Sequence, residues 1–323
     1  MLVLTATFKF TIMRPLKLDD RIKYKAAIER GYIDPNEPQM HNFCGTWMRK
    51  YPKRTSVLDD FKEVLGHNPE WEDLSDDTLH DFRYQLEGHL APNSVKTICG
   101  ELKAVINANV RSKNIPSQDY AKILTSKKVP TQGVYLTAIE LRHIHEYIPA
   151  SQTEAFVKEI FMRECLTGAR NVDCRKMSMS NIVEINGMEF VRYVPQKHPV
   201  EVTVPVHKWL KMYLTGNFTP ARLAMRMDLF NECLRRICFK CNIVTPVTVY
   251  YAGKSVTKPK YKLIASHTGR RTFATLLSLK GCQIEQIAQM MGHMNGNVPN
   301  ISMTAGYILA QRHITKSTYN YFK

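Results

Sequence analysis

"SHTGRRTFATLLSLKGCQIEQIAQMMGH" runs from Ser266 to His293 and reads as two helices joined at Gly281. On a helix starting near Thr268, the three-residue step from His267 to Arg270 puts an imidazole and a guanidinium side by side at its N-terminus. The free backbone N–H groups there already favour an anion. In the second helix Ile284, Ile287, Ala288 and Met291 make an apolar stripe that stops at Gly292. A glycine in that place turns the chain at a helix end, so that His293 points back towards His267. A plainer reading of the same residues has His267 as a cap, Arg270 solvated and His293 incidental.

Charge decides which reading to pursue. The chain has 323 residues, room for two domains, with 45 Lys and Arg against 29 Asp and Glu, a net of +16. Residues 1–130 hold 20 basic and 17 acidic side chains, and residues 131–323 hold 25 and 12. So strong a positive field in the second part calls for a polyanion, with nucleic acid ahead of an anionic membrane. No stretch approaches the roughly 18 apolar residues of a membrane span. The apolar start "MLVLTATF" lacks the basic region of a signal peptide. Eight scattered cysteines without framework spacing suit reduced, buried thiols in a cytoplasmic protein. "CLRRICFKC" (Cys233 to Cys241) invites a metal, but no fourth ligand is near, and core sulfur is the better reading.

Along the chain, residues 1–40 have no assigned role, with weak strand alternation in "LVLTATFKFT" and a short helix ending at Gly31. Residues 41–120 read as a helical module, with a helix stopped by Gly66, another capped by Ser75, and an apolar face of Val95, Ile98, Leu102, Val105 and Ile106. Ten acidic residues between Asp59 and Glu87 leave only its other faces for DNA. Residues 121–136 have the composition of a linker. In residues 137–323, capping boxes at Thr137/Glu140 and Ser151/Glu154 open two helices. "MEFVRYVPQKHPVEVTVPVH" is a hairpin, "VTPVTVYYAGKSVTKPKYKL" is a basic strand region, and helices follow at about 205–214, 219–241, 268–279 and 283–291.

A third cation stands in "CLTGARNVDCRK", where Arg170 follows a Thr-Gly turn and precedes a new helix. By itself it is a surface arginine or half of an ion pair with Asp173. Taken together, these segments resemble the tyrosine recombinases, or phage integrases. That family carries an arginine in a T-G-x-R context, a hairpin lysine, H-x-x-R, a histidine after a Gly, and a tyrosine beyond it. Arg170, Lys197, His267, Arg270, His293 and Tyr307 supply these in order, and Asp173 matches the acidic residue typical three places after the first arginine. The resemblance spans about residues 137–310, and the preceding helices suit the family's core-binding (SAM-like) domain. It implies a mainly α fold with small β-hairpins or sheets.

The resemblance implies breaking and rejoining of double-stranded DNA through a 3′-phosphotyrosine, without metal, ATP or other cofactor, in integration or excision of a mobile element. It implies a homotetramer on two DNA segments, a four-way junction, accessory DNA-bending proteins in some systems, and a protein that works on DNA in the cytoplasm. Two guanidiniums suit the non-bridging oxygens of a phosphate, because each offers paired charge-assisted hydrogen bonds. That is the expected role of Arg170 and Arg270. Tyr307 is the expected nucleophile. Lys197, the only lysine in the 188–204 hairpin, is the expected acid for the leaving 5′ oxygen. His267 is expected to assist proton transfer and His293 to hydrogen-bond the same phosphate. A relaxing enzyme of the type IB topoisomerase kind uses the same chemistry, and a non-catalytic DNA-binding regulator on the same fold is the alternative from another class.

Two departures stand out. His293 and Tyr307 are 14 residues apart where the family has about nine, the excess being "NGNVPN" (Asn295 to Asn300). Tyr319 and Tyr321 in the tail compete with Tyr307 for the nucleophile's role. The start reads as too short for the extra arm-site domain of many integrases, a point that the 40 unassigned residues leave open. Lys254, Lys258, Lys260 and Lys262 read as a basic strand-loop for backbone phosphates. "AGKS" (Ala252 to Ser255) is no phosphate-binding loop, since Thr248 stands where its first glycine belongs. His143 and His145, two apart on a helix, face different ways and suit no metal.

Overall fold

A computed structural model describes residues 16–36, 41–129, 133–197, 199–251 and 254–309, leaving aside the side chains of Tyr250, Tyr251 and Lys254. The fold is mainly helical with small antiparallel sheets. It divides into two compact units, Met1–Pro130 and Thr131–Lys323. The alternating stretch at the N-terminus and the tail tyrosines Tyr319 and Tyr321 lie outside the described residues.

The first unit is built on α1 (Phe43–Lys50), α2 (Thr55–Leu65), α3 (Asp76–His89) and α4 (Pro92–Asn109). Gly66 stops α2 at φ 78°, a left-handed conformation that costs glycine little. The Ser75 side chain accepts from Thr78 N and so caps α3. Phe43, Trp47, Phe61 and Phe82 are fully buried, with the Phe61 and Phe82 rings stacked at 3.7 Å. Upstream, the expected single helix before Gly31 is two short ones, Leu18–Lys23 and Lys25–Glu29, broken at Tyr24. Tyr24 and Ala27 are buried in the unit's core, and the break lets both reach it.

The second unit opens with Val134 and Leu136 buried in its core, the Leu136 amide donating to Thr272 Oγ1 at 2.9 Å. Then come α5 (Ala138–Glu146), α6 (Gln152–Thr167) and the single turn α7 (Asn171–Cys174). A sheet of β1 (Ile182–Ile185), β2 (Met188–Tyr193) and β3 (Val202–Pro205) follows, antiparallel throughout. Next are α8 (Met227–Lys240) and the hairpin of β4 (Pro246–Tyr251) with β5 (Lys254–Pro259). The remainder is α9 (Ser266–Leu279), α10 (Ile284–Met290), a two-residue hairpin of β6 (Met294–Asn295) with β7 (Val298–Pro299), and α11 (Ile301–Ala305). α6 is the axis of this unit, with Phe156, Val157, Ile160, Phe161 and Met162 all fully buried.

Three expectations change. Residues 205–214 form only a 3-10 turn at Lys211–Tyr213, because β3 runs on to Pro205 and uses up the start of the segment. The helix expected over 219–241 breaks between Pro220–Leu223 and α8. There Arg175 Nη1 donates to the Leu223 and Met225 carbonyls at 2.6 and 2.8 Å, taking acceptors that a continuous helix would need. Thr137 and Glu140 close a full capping box, but Glu154 does not return to Ser151. Its carboxylate accepts from Tyr147 Oη (2.6 Å), Ala150 N (2.9 Å) and Lys240 Nζ (2.7 Å).

The Lys240 ammonium and the Tyr147 hydroxyl hold Glu154 down at about 2. A carboxyl held below its unfolded value stabilises above about pH 4.5, and that contribution disappears as pH falls through about 2. Glu154→Gln is therefore expected to lower the melting temperature at neutral pH and to leave it nearly unchanged near pH 2, as read by circular dichroism.

Candidate active site around Arg270

Four segments of the second unit converge here, and local chemistry brings each one in. α6 stops at Thr167 because Gly168 takes φ 68°. A Cβ on Gly168 would also lie 2.4 Å from Phe273 Cδ1, so no other residue fits. The turn places Arg170, half-buried, at the N-cap of α7. Arg163, 1% exposed, anchors the far side of that turn by donating to the Cys174 and Met177 carbonyls at 2.8 Å each.

Arg270, on the first turns of α9, is 1% exposed. Its Nη1 donates to the Gly168 carbonyl, and its Nη2 to the Met291 carbonyl at 3.1 Å and to His293 Nε2 at 2.9 Å. Since a guanidinium can only donate, His293 Nε2 accepts, and the ring proton sits on Nδ1 facing Thr304 Oγ1 at 3.1 Å. The Thr304 hydroxyl donates onward to the Asn300 carbonyl at 2.9 Å. His293 thus grips Arg270 in this structure, where the sequence suggested a phosphate ligand.

The "NGNVPN" insert folds on itself. Gly296 turns the β6–β7 hairpin at φ 59°, Asn300 N donates to the His293 carbonyl at 2.7 Å, and the Asn300 side chain caps α11. Tyr307 follows at once, half-buried, its carbonyl accepting from Thr275 Oγ1 at 3.2 Å. Its hydroxyl lies 3.0 Å from His267 Nε2, its ring 4.9 Å from that of His293, and the Arg270 guanidinium stands 5.6 Å from its centroid. The extra residues are absorbed before the tyrosine.

One edge of His267 is open to solvent, but the residues crowded round the rest lower its pKa to about 4, helped by Arg270, Arg271, Arg170 and Lys197. The ring is neutral at pH 7 and able to accept the Tyr307 proton. Lys197 is exposed in the loop between β2 and β3. Asp173, buried, forms no ion pair with Arg170 among the described residues. Its Oδ1 instead accepts from Gln196 N at 2.9 Å and so pins the loop next to Lys197.

The basic strand-loop is not uniform. Lys260 is buried, 2.6 Å from Glu140 Oε2, and so is a structural ion pair in place of the expected DNA contact. Lys258 and Lys262 are exposed, and the Lys254 side chain lies outside the description. Sequence reasoning missed Thr304, Arg163 and Arg271. "TAGY" did hold the signal for Thr304, a hydroxyl one turn before the tyrosine.

Three buried or half-buried arginines differ in one respect. Every guanidinium nitrogen of Arg163 has a protein acceptor. Arg170 Nη1 and Arg270 Nε are buried with none among the described residues. Burial and the Arg170 charge depress the Arg270 pKa, which marks two like charges close together. Unfilled donors beside a second positive charge can hold an anion.

No protein-family model and no curated protein matches this sequence. Solved structures do match its fold. The Tn1549 transposon integrase in complex with a circular-intermediate DNA aligns over 94% of this chain and 98% of its own, at 13% identity and a TM-score of 0.57. A lambda integrase dimer bound to a core site aligns over 83% and 95%, at 16% identity and 0.56. XerH site-specific recombinase bound to a difH substrate aligns over 94% and 83%, at 11% identity and 0.57. The chain therefore has the integrase and recombinase fold, as the sequence resemblance implied. At these identities the likeness is one of fold.

Gly168→Ala is expected to cost about 3 kcal/mol or more of stability, since it combines a left-handed backbone with overpacking against Phe273. Urea denaturation reads this directly.

Proposed function

We propose that this protein is a site-specific DNA recombinase that cuts and rejoins duplex DNA through Tyr307. The observation that carries the reading is the pair of unfilled guanidinium donors on Arg170 and Arg270 beside a tyrosine hydroxyl already hydrogen-bonded to a neutral histidine. Nothing in the protein's own hydrogen bonding explains why those donors are buried unpaired. A scissile phosphate would fill them.

In this scheme the two arginines neutralise the non-bridging oxygens as negative charge builds in the transition state. His267 takes the proton from Tyr307, whose oxygen attacks phosphorus. The bond to the 5′ oxygen breaks, and Lys197 supplies the proton that makes a 5′-hydroxyl. The product is a 3′-phosphotyrosine, and the reverse steps with a second 5′-hydroxyl rejoin the strand. His293 acts through Arg270, holding the guanidinium to which it is bonded. Lys258 and Lys262 serve flanking phosphates. Pairwise exchange on two DNA segments would require a tetramer and a four-way junction. Moving a mobile element in or out of a chromosome is the use that the transposon and phage integrases of the same fold suggest.

A nicked suicide duplex carrying the element's end tests the scheme. A covalent adduct should form and map to Tyr307, and Tyr307→Phe should abolish it. Arg170→Gln or Arg270→Gln should slow adduct formation on the order of 100–1000-fold. An adduct at Tyr319 or Tyr321 would move the nucleophile to the tail, and tight binding with no adduct would make the protein a DNA-binding regulator. Because His267 titrates near 4, adduct formation should stay flat from neutral pH down to about pH 5. A fall centred near pH 6.5 would mean that the histidine is not held neutral.

A further inference from the structure

An acid that faces Arg270 from α6 is left unused by the scheme above. Glu164, on α6, is fully buried. Its Oε1 accepts from Ser266 Oγ at 2.5 Å, and its Oε2 faces the Asn171 amide without a close hydrogen bond among the described residues. Ser266 is the first residue of α9, and its amide donates to Asn231 Oδ1 of α8 at 2.8 Å. One turn on, a Cβ added to Gly269 would come within 2.6 Å of Glu164 Cβ and 3.4 Å of Cys165 N. α6 and α9 therefore approach as closely as backbones allow, at a glycine, with the acid wedged beside it. α6 leads into Arg170 and α9 carries His267 and Arg270.

We propose that Glu164 is a positioning residue, which through its bond to Ser266 holds the first turn of α9 at the separation from α6 where Arg170 and Arg270 share one phosphate. The proposal rests on the recombinase reading. A carboxylate in that position would instead bind Arg270 from below and compete with the phosphate for it. The groups facing Glu164 are Arg270 from α9, Asn171 and Arg175 from α7 and its end, and the thiols of Cys165 and Cys174. Burial outweighs the hydrogen bonds from Ser266 and Asn171 and the two guanidiniums, and raises the acid to about 8, so it is mostly protonated at neutral pH.

The test compares adduct formation on the suicide duplex, from about pH 6 to about pH 9.5, in the wild type, Glu164→Gln, Glu164→Leu and Ser266→Ala, with anisotropy of a labelled duplex for binding. Glu164→Gln should match the wild type near pH 7 and lack its alkaline decline, the difference between the two isolating Glu164 from Lys197 and Tyr307. Glu164→Leu and Ser266→Ala should be slower by about tenfold near pH 7 with duplex binding within about twofold, the size of effect one lost buried hydrogen bond allows. If Glu164→Leu does not fold, Ser266→Ala carries the comparison. A Ser266→Ala protein as fast as the wild type would overturn the proposal, and so would a Glu164→Gln protein slowed at neutral pH. If the wild type forms no adduct on any tyrosine, the recombinase reading fails and melting decides the clamp alone. An acid raised by burial stabilises fully below about pH 4.5 and loses that contribution as pH rises through about 8. Glu164→Gln should then melt higher than the wild type near pH 9 and alike near pH 4, while equal melting at both would sink the neutral acid as well.

Discussion

The Arg270 guanidinium is the point on which the second unit is hung. Its donors run to the carbonyl that ends α6, to the carbonyl that ends α10, and to the imidazole of His293. Two segments that are far apart in sequence, at Gly168 and at Met291 to His293, are tied to one cation. Burying such a group is expensive unless acceptors surround it, so the turns at Gly168 and Gly292 are set by the need to aim carbonyls inward. Both glycines take left-handed backbone, at φ 68° and 63°. Phe273 presses on the first, while Val202 and Pro195 stand beside the second.

Electrostatics then separates two kinds of buried cation. Arg163 is spent entirely on structure, and Lys260 likewise on Glu140. Arg170 and Arg270 retain donors and repel each other. A fold that only needed stability would have supplied carboxylates there, as it did for the other two. The acids that are near have been turned to other tasks, Asp173 to the Lys197 loop and Glu164 to Ser266. The surplus charge is thus concentrated where no acceptor among the described residues answers it.

Much of this was legible in the chain. His267, Arg270 and His293 stand out because helix periodicity and a terminal glycine fix their relation over a short span, and Arg170 and Lys197 because a turn and a hairpin bracket them. What could not be read is the division of labour among like residues. Four lysines in "GKSVTKPKYK" look alike, and only the packed Glu140 partner distinguishes Lys260. Glu154 satisfies the capping pattern locally, yet a lysine 86 positions away takes it. His293 carries the same letter whether it meets a phosphate or a guanidinium. Partners distant in sequence leave no trace in local pattern, which is where the reading failed.

The small hairpin between His293 and α11 bears on how such sites vary. Its two strands pair with each other, and its ends are fastened by the Asn300 amide on one side and the Thr304 hydroxyl on the other. Chain added or removed at Gly296 would alter a surface knob while those two fastenings hold the tyrosine's approach unchanged. The count of residues from histidine to tyrosine is therefore slack. A ruler laid along the chain measures the wrong quantity here, because the distance the chemistry feels is set across a gap of one hydrogen bond.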